Sequence, residues 1–552
     1  MNENNQKGGI MVQASILAAA SIIVRIIGIL YRSPLTAIIG DEGNGYYGFA
    51  YNIYAIVLMV SSYSIPQAIS KLMAQKMAMG EYKNARRVFR CTMAYAVAAG
   101  TLSSILLYFG AGLLVPPSAV PVLRMFAPTI FFFAILGVLR GYFQADQNMA
   151  PTSVSQILEQ IANAVVSIGA AWFFMNYLAG SDPHVQAVYG AMGSALGTGS
   201  GVVAALIFMS VLYFRSRAGF QKRLKADRTG RLTPWPLILR DTILVITPFI
   251  LSGFILNLTT TVNQTIYTNI MIGLKGMEEV EVSKAYGIFS NKAVVISNIP
   301  ISIATALATA VIPNISAAYA VFDLEETRRR VIAAIRFVLV VSVPCAAGLF
   351  VLAKPVTMLL FPQWESLDLA ARLLAMLSVT VILYSVSTIT NAALQSIGRM
   401  SMPLVSAGIA LIGQTFILVL LLLFTGMGIY SLVAVSIIYS GLIFALNQFF
   451  LRRYLDPRAD LVNVLGKPCL AAFVMSIACR ISFALIGLLC GVLGFGRYLT
   501  NLVCLAPSIL IAVIVYFFVL IRIGTLSEED ILNFPRGRLL LKTFRRLRWL
   551  KE

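Results

Sequence analysis

A single histidine, His184, stands in 552 residues, and that scarcity closes off several chemistries. A zinc centre, a Ser-His-Asp triad and a histidine-dependent acyl transferase all need imidazoles that this chain does not have. Charge is scarce as well, at 12% of residues against 59% hydrophobic. Soluble domains carry about a quarter charged residues, so no soluble core could hide this much apolar surface, and the bilayer is the solvent that fits. The six cysteines, Cys91, Cys345, Cys469, Cys479, Cys490 and Cys504, all sit in apolar stretches without a C-x-x-C pair, which indicates neither a disulfide framework nor a metal site. No cofactor is predicted. Acids are the rarer charge, 23 against 43 basic residues. A cavity built to bind cations wants carboxylates, and these are mostly missing from the apolar runs. The net charge of +20 does not imply nucleic acid, because the basic residues are parcelled into short loops and one tail rather than gathered on a soluble domain. No cleavable signal peptide is expected, since the first apolar run is long and carries Arg25 in its middle.

What is present is a succession of apolar segments, near 10–31, 46–70, 88–115, 121–143, 152–178, 187–214, 241–272, 283–320, 331–353, 370–397, 401–425, 429–451, 468–494 and 499–523. Each is long enough to span a membrane as a helix. Pro116-Pro117, Ser181-Asp182-Pro183, Phe361-Pro362 and Asp456-Pro457 mark turns between them. The predicted class is an all-α integral membrane protein of about fourteen transmembrane helices. Basic residues favour cytoplasmic loops, and of the 43 here, 33 fall in the alternate segments taken as inner, seven in the outer ones and three within helices. That distribution predicts a multi-pass protein of the cell membrane with both termini cytoplasmic.

The chain also repeats itself. Ile65-Pro66-Gln67-Ala68-Ile69-Ser70 returns as Ile312-Pro313-Asn314-Ile315-Ser316, and Gln144 with Pro151 returns as Gln395 with Pro403, all at an offset near 250 positions. Six helices per repeat gives two parallel lobes, an arrangement used by transporters. The predicted organisation is an N-lobe over 1–214, a basic cytoplasmic linker over 215–240, a C-lobe over 241–451, two further helices over 468–523 and a basic cytoplasmic tail over 524–552. The tail alternates arginines with bulky apolar residues from Arg536 to Lys551, as a helix lying on anionic membrane lipids would.

A charge near the bilayer centre costs about 2.5–3.5 kcal/mol, so each intramembrane ionisable residue is a candidate for function. Arg25 sits mid-helix, Arg32 one to two turns further toward the outside, Lys292 in the outer part of helix eight and Arg480 midway along helix thirteen, and Glu159 is the acid well inside a helix. Guanidinium groups keep their charge when desolvated and pair bidentately with phosphate, so this excess of positive charge suits an anionic guest. For Arg25 and Arg32 the choice lies between substrate contact and an ion pair that orients the first helix. For Lys292 it lies between the substrate and the outer headgroups. Glu159 either touches a ligand or pairs with Arg140. The run Asn257, Thr259, Thr260, Thr261, Asn263, Gln264 either faces a wet cavity or packs helices together. The acidic run Glu278-Glu279-Val280-Glu281 reads as a solvated loop. A membrane glycosyl or acyl transferase would need an acidic pair or a histidine on an outer loop, so no enzyme activity is predicted.

The segment Arg25-Ile-Ile-Gly28-Ile-Leu-Tyr31-Arg32-Ser-Pro34-Leu35, the segment from Ile65 to Lys71, and Arg140-Gly141-Tyr142-Phe143-Gln144 followed by Asn148-Met149-x-Pro151-Thr152-x-x-Ser155-Gln156-x-x-Glu159-Gln160 resemble the stage V sporulation protein B branch of the polysaccharide transporter family. That branch belongs to the multidrug/oligosaccharidyl-lipid/polysaccharide superfamily and is related to the lipid II flippase MurJ. The resemblance implies a MATE/MurJ-like fold of two six-helix lobes plus two C-terminal helices. It implies alternating-access transfer of undecaprenyl-diphosphate-linked cell-wall precursors, lipid II or a relative, from the inner to the outer leaflet, and a working association with cell-wall synthesis proteins. Residue by residue, Arg25 matches the family's essential arginine in helix one, and Arg32 its second arginine within a one-residue shift. Lys292 stands about one turn from the matching cation of helix eight, and Asn263 stands where relatives often carry an acid. An exporter of another lipid-linked oligosaccharide and a cation-coupled multidrug antiporter are the alternatives within the same fold.

Overall fold

The computed structural model describes residues 3–63, 65–227, 229, 232–456, 462–492 and 496–524. The basic tail therefore lies outside the described residues. Within them the chain is helical throughout, with no strand.

The packing separates into two compact units, Met1–Gly287 and Ile288–Glu552. The first holds α1 (Glu3–Leu58), α2 (Ile65–Ala78), α3 (Tyr82–Leu114), α4 (Val120–Ala145), α5 (Ala150–Tyr177), α6 (Pro183–Ala226), α7 (Trp235–Thr268) and α8 (Glu279–Gly287). The second holds α9 (Val294–Ala320), α10 (Leu324–Val351), α11 (Ala353–Leu360), α12 (Trp364–Ser396), α13 (Ser401–Phe424), α14 (Tyr430–Leu455), α15 (Lys467–Val492) and α16 (Arg497–Arg522).

Among the described residues, twelve helical runs are long and apolar enough to cross a membrane. The first of these, Ile23–Ala78, is 56 residues long, about 84 Å at 1.5 Å per residue and roughly twice the full thickness of a bilayer. It breaks at Gly40, whose backbone is left-handed (φ 69°), a conformation that costs glycine little and other residues more. The sequence predicts about fourteen crossings; the 34-residue α7 lies outside the twelve runs.

Helix starts follow ordinary capping chemistry. Asp182 accepts the His184 backbone N–H at 2.9 Å ahead of α6, and Asp323 accepts that of Glu326 at 2.9 Å ahead of α10. The acidic run at 278–281 is only in part the solvated loop that the sequence suggests, with Glu278 exposed ahead of the helix. Glu279 and Glu281 sit in the first turn of α8, where the helix dipole favours carboxylates, and Glu279 accepts the Ser118 N–H at 3.0 Å.

The two units share an internal plan. In the first, α2, α3 and α6 pack on α4; in the second, α9, α10 and α14 pack on α12. These central helices are the most enclosed of the spans, and a short helical turn precedes each, Pro117–Ala119 before α4 and α11 before α12. In the second unit α15 and α16 pack together, and α15 lies on α10. Asn501 of α16 donates to the Pro355 carbonyl at 2.9 Å, and Tyr516 to that of Val340 at 2.9 Å. α7 and α8 pack within the first unit, where Asn52 of α1 donates to Gln264 of α7 at 2.6 Å and to the Tyr286 hydroxyl of α8 at 2.8 Å.

Close helix contact in the first unit depends on small residues, as expected where helices associate without a hydrophobic drive. Gly193, Gly197 and Gly201 recur along the face of α6 that meets α5. A Cβ on Gly193 would come within 2.6 Å of the Ala171 backbone, and one on Gly201 within 2.5 Å of the Glu159 carbonyl. Gly141 of α4 is similarly pressed on α2, 2.7 Å from the Pro66 carbonyl by the same construction.

Candidate functional site

Arg140 belongs to α4, the enclosed centre of the first unit, and is itself buried. A guanidinium there must be neutralised and hydrogen-bonded, and α5 supplies both needs. Arg140 donates to the Glu159 carboxylate at 2.7 Å and to Ser155 Oγ at 3.0 Å, four residues earlier on the same face. Ser155 in turn donates to the Thr152 carbonyl at 2.7 Å. Of the two roles open to Glu159 in the sequence, the ion pair is the one the structure forms.

Arg25 and Arg32 lie two turns apart on one side of α1, with Gly28 between them against Gln160 of α5. Arg25 is exposed and Arg32 half-buried. Arg32 lies within electrostatic reach of Tyr31, Tyr47 and Tyr51. The Tyr31 hydroxyl accepts from Asn163 of α5 at 3.4 Å. Among the described residues no carboxylate forms an ion pair with Arg25 or Arg32, in contrast to Arg140.

Beyond the Gly40 break, α1 presents Tyr47, Tyr51 and Tyr54 at helical spacing. Tyr47 and Tyr51 stack with centroids 5.7 Å apart, and Tyr54 stacks on Phe126 of α4 at 4.6 Å. Glu159 lies within electrostatic reach of Tyr54. Arg32, the tyrosines of α1 and Asn163 of α5 thus gather in one part of the first unit. Sequence reasoning passed over these tyrosines because in an apolar span they read as core, although their 47, 51, 54 spacing marks a single helix face.

Asn263 is half-buried on α7, beside the Gln264 that binds Asn52 and donates to the Phe49 carbonyl at 3.0 Å. The polar run of α7 therefore does helix-packing work, with Thr261 donating to the Asn52 carbonyl at 3.3 Å. Lys292 belongs to the second unit, in a π-helical turn between α8 and α9. It is buried, 1% exposed, and donates to Ser366 of α12 at 2.6 Å. Arg480 is exposed on α15.

A second polar cluster, which sequence reasoning did not find, occupies the end that the charge pattern assigns to the outside. Glu42 of α1 is its hub, accepting from Tyr46 at 3.0 Å, meeting His184 Nδ1 at 2.7 Å and Lys284 of α8 at 3.7 Å. His184 Nε2 lies 3.3 Å from Ser118 Oγ. Here α1 and α8 cross almost backbone to backbone, since a Cβ on Gly45 would meet the Ser283 carbonyl carbon at 2.6 Å. At the opposite end Asp227 accepts the Lys83 N–H at 2.7 Å and is hydrogen-bonded by Thr229; these donors hold its carboxyl below the usual range. Arg87 donates to the Thr233 carbonyl at 2.8 Å and lies over the Trp235 ring. A cavity of about 490 Å³ opens nearby, between Leu72, Lys76, Val88, Ile238 and Asp241.

Fold and site together define a multi-pass α-helical membrane protein with two cations on its first helix. The chain belongs to the polysaccharide biosynthesis protein family, whose model matches residues 11–319; a MatE model matches 257–421. It is 24% identical over 416 residues to the lipid II flippase MurJ of Bacillus subtilis, covering 72% of this chain and 74% of that one. It is 27% identical to the stage V sporulation protein B of the same organism, over 54% of this chain and 57% of that relative. The solved structure of the lipid II flippase MurJ in an inward closed conformation superimposes with a TM-score of 0.63 at 14% identity, covering 91% of this chain and 97% of that one. At that identity the likeness establishes the shared MATE/MurJ-like fold.

Proposed function

We propose that this protein is a flippase that moves an undecaprenyl-diphosphate-linked cell-wall precursor, lipid II or a relative, from the inner to the outer leaflet by alternating access. The observation that carries this reading is the pair of arginines on α1. Arg25 and Arg32 have no carboxylate partner among the described residues, while the neighbouring Arg140 is neutralised by Glu159. A membrane helix that keeps two such cations has an excess of positive charge, which a diphosphate would neutralise. The polyprenyl tail stays in lipid while the headgroup crosses. Membership of the polysaccharide biosynthesis family and the likeness to MurJ and the stage V sporulation protein support the same substrate class.

The test is transport in proteoliposomes. Fluorescent lipid II is placed in one leaflet, its accessibility to an external quencher is followed, and Arg25→Ala is compared with wild type. Wild type should equilibrate the lipid and Arg25→Ala should lose at least tenfold in rate while remaining folded in the membrane. Full transport by the variant would refute the site. A folded wild type that ignores lipid II but moves another lipid-linked oligosaccharide would change the sugar and keep the class; movement of cationic drugs alone would replace the class by a cation-coupled antiporter.

A further inference from the structure

The diphosphate reading makes no use of the polar cluster at the end of the first unit that the distribution of basic residues assigns to the outside. Its centre is the contact between His184, at the start of α6, and Glu42 of α1, with Nδ1 and Oε1 2.7 Å apart. The two partners differ in access: the Glu42 side chain is 12% exposed and the imidazole 42%, so a proton reaches the ring from the medium while the carboxylate behind it is sheltered. The helices leave little room here. A Cβ on Gly43 of α1 would meet the Ala187 carbonyl of α6 at 3.0 Å, and one on Gly287 of α8 would meet the Gly45 backbone nitrogen of α1 at 2.7 Å. The stretch 41–45 of α1 is thus pressed between α6 and α8, and the His184–Glu42 contact is a polar fastening of that stretch to α6. Facing the ring are Glu42 and Tyr46 of α1 and, 3.3 Å from Nε2, Ser118 Oγ of the turn before α4. Glu279 of α8 accepts the Ser118 N–H, Lys284 of α8 stands 3.7 Å from the other oxygen of Glu42, and Asp182 accepts the backbone N–H of His184 itself. Arg124 of α4 lies over the Tyr108 ring of α3, and α5 ends in the exposed Tyr177. Carboxylates therefore outnumber the lysine around this ring.

We infer that His184 and Glu42 form a proton-binding latch at this end of the first unit, closed when the imidazole is charged and loosened when it is neutral. An imidazolium donates from both ring nitrogens. Nδ1–H goes to the Glu42 carboxylate as a charge-assisted bond and Nε2–H to Ser118 Oγ, so one ring ties α6 to α1 and to the turn before α4. A neutral imidazole keeps a single N–H, and the ion pair with Glu42 is lost. Glu42 then retains the Tyr46 hydroxyl and Lys284, which hold it to α1 itself and to α8 but not to α6. Histidine is the side chain whose ordinary charge change falls between about pH 5 and 8, and no second histidine in the chain shares the effect. The ligand is a proton from the outer medium, and what it sets is how firmly α6 holds the outer part of α1. This holds whatever the protein transports.

The test is backbone hydrogen exchange of the full chain in nanodiscs, at about pH 5.5 and about pH 8 on either side of the histidine range, followed by mass spectrometry and corrected for the intrinsic pH dependence of amide exchange. In wild type, peptides covering 41–46 and 184–188 should be about threefold better protected at the lower pH, the scale of a partly exposed ion pair, with peptides of α15 as the reference. His184→Gln should abolish the difference. Glu42→Gln, which keeps an acceptor but no charge, should abolish most of it. Thermal unfolding of each variant at both pH values separates loss of the latch from loss of fold, and Glu42→Gln carries the comparison if His184→Gln does not fold. Equal protection of wild type at the two pH values, better protection at the higher one, or a difference that survives in either folded variant would overturn the latch.

Discussion

At the scale of single residues, the chain treats its membrane cations in two ways, and the difference can be measured. Arg140 is neutralised where it lies, so Arg140→Met should strand the Glu159 carboxylate. Breaking a buried pair costs about 3–5 kcal/mol, and the lower end applies here because Glu159 keeps 26% of its side chain exposed. The expected outcome is a clear fall in the unfolding midpoint in detergent, with much of it restored in Arg140→Met with Glu159→Leu. If the double variant is no more stable than the single one, the pair is not what holds α4 to α5. This contact was legible in the sequence, since an arginine and a glutamate each stranded in an apolar segment have few ways to be solvated. The tyrosines of α1 were not legible, because only folding shows that Tyr51 is exposed while Tyr47 and Tyr54 are buried. The Glu42 and His184 contact joins residues more than a hundred positions apart, and no local pattern announces it.

At the scale of helices, close approach is the main device, and α6 supplies an internal comparison. Gly197 lies against the Ser167 backbone, with a Cβ there meeting its Cα at 2.5 Å, whereas Gly219 on the same helix has nothing within 4 Å. Gly197→Leu should therefore force α5 and α6 apart and abolish accumulation of folded protein, while Gly219→Leu should be tolerated; size-exclusion profiles of the two variants would show it. Equal behaviour of the two would mean that the glycine stripe is incidental. Because Gly201 abuts the Glu159 carbonyl, the stripe also sets where α5 holds its carboxylate. Helix existence was legible almost throughout, since length and apolarity decide it. Helix identity at 278–281 was not, because charge read as solvation concealed a helix start that uses carboxylates on its own dipole.

At the scale of the whole chain, an even number of crossings and the distribution of basic residues predict that both termini lie on one side. A reporter that fluoresces only in the cytoplasm should be bright when fused at either end, and a periplasmic-type phosphatase inactive at both; opposite signals at the two ends would require an odd number of crossings. The repeat of about 250 positions was visible in a few Pro, Gln and Ser residues, and the like packing of α4 and α12 gives it physical form. The packing of α7 and α8 on α1 was not visible, because the hydrogen bonds of Asn52 to Gln264 and Tyr286 join residues more than two hundred positions apart. The solitary histidine, first met as a deficiency, gives the chain one native spectroscopic address. His184 stands where α1, α6, α8 and the turn before α4 converge, so its ring resonances, or its reaction with an imidazole-selective reagent, report on the joining or parting of those segments without background from anywhere else in the sequence.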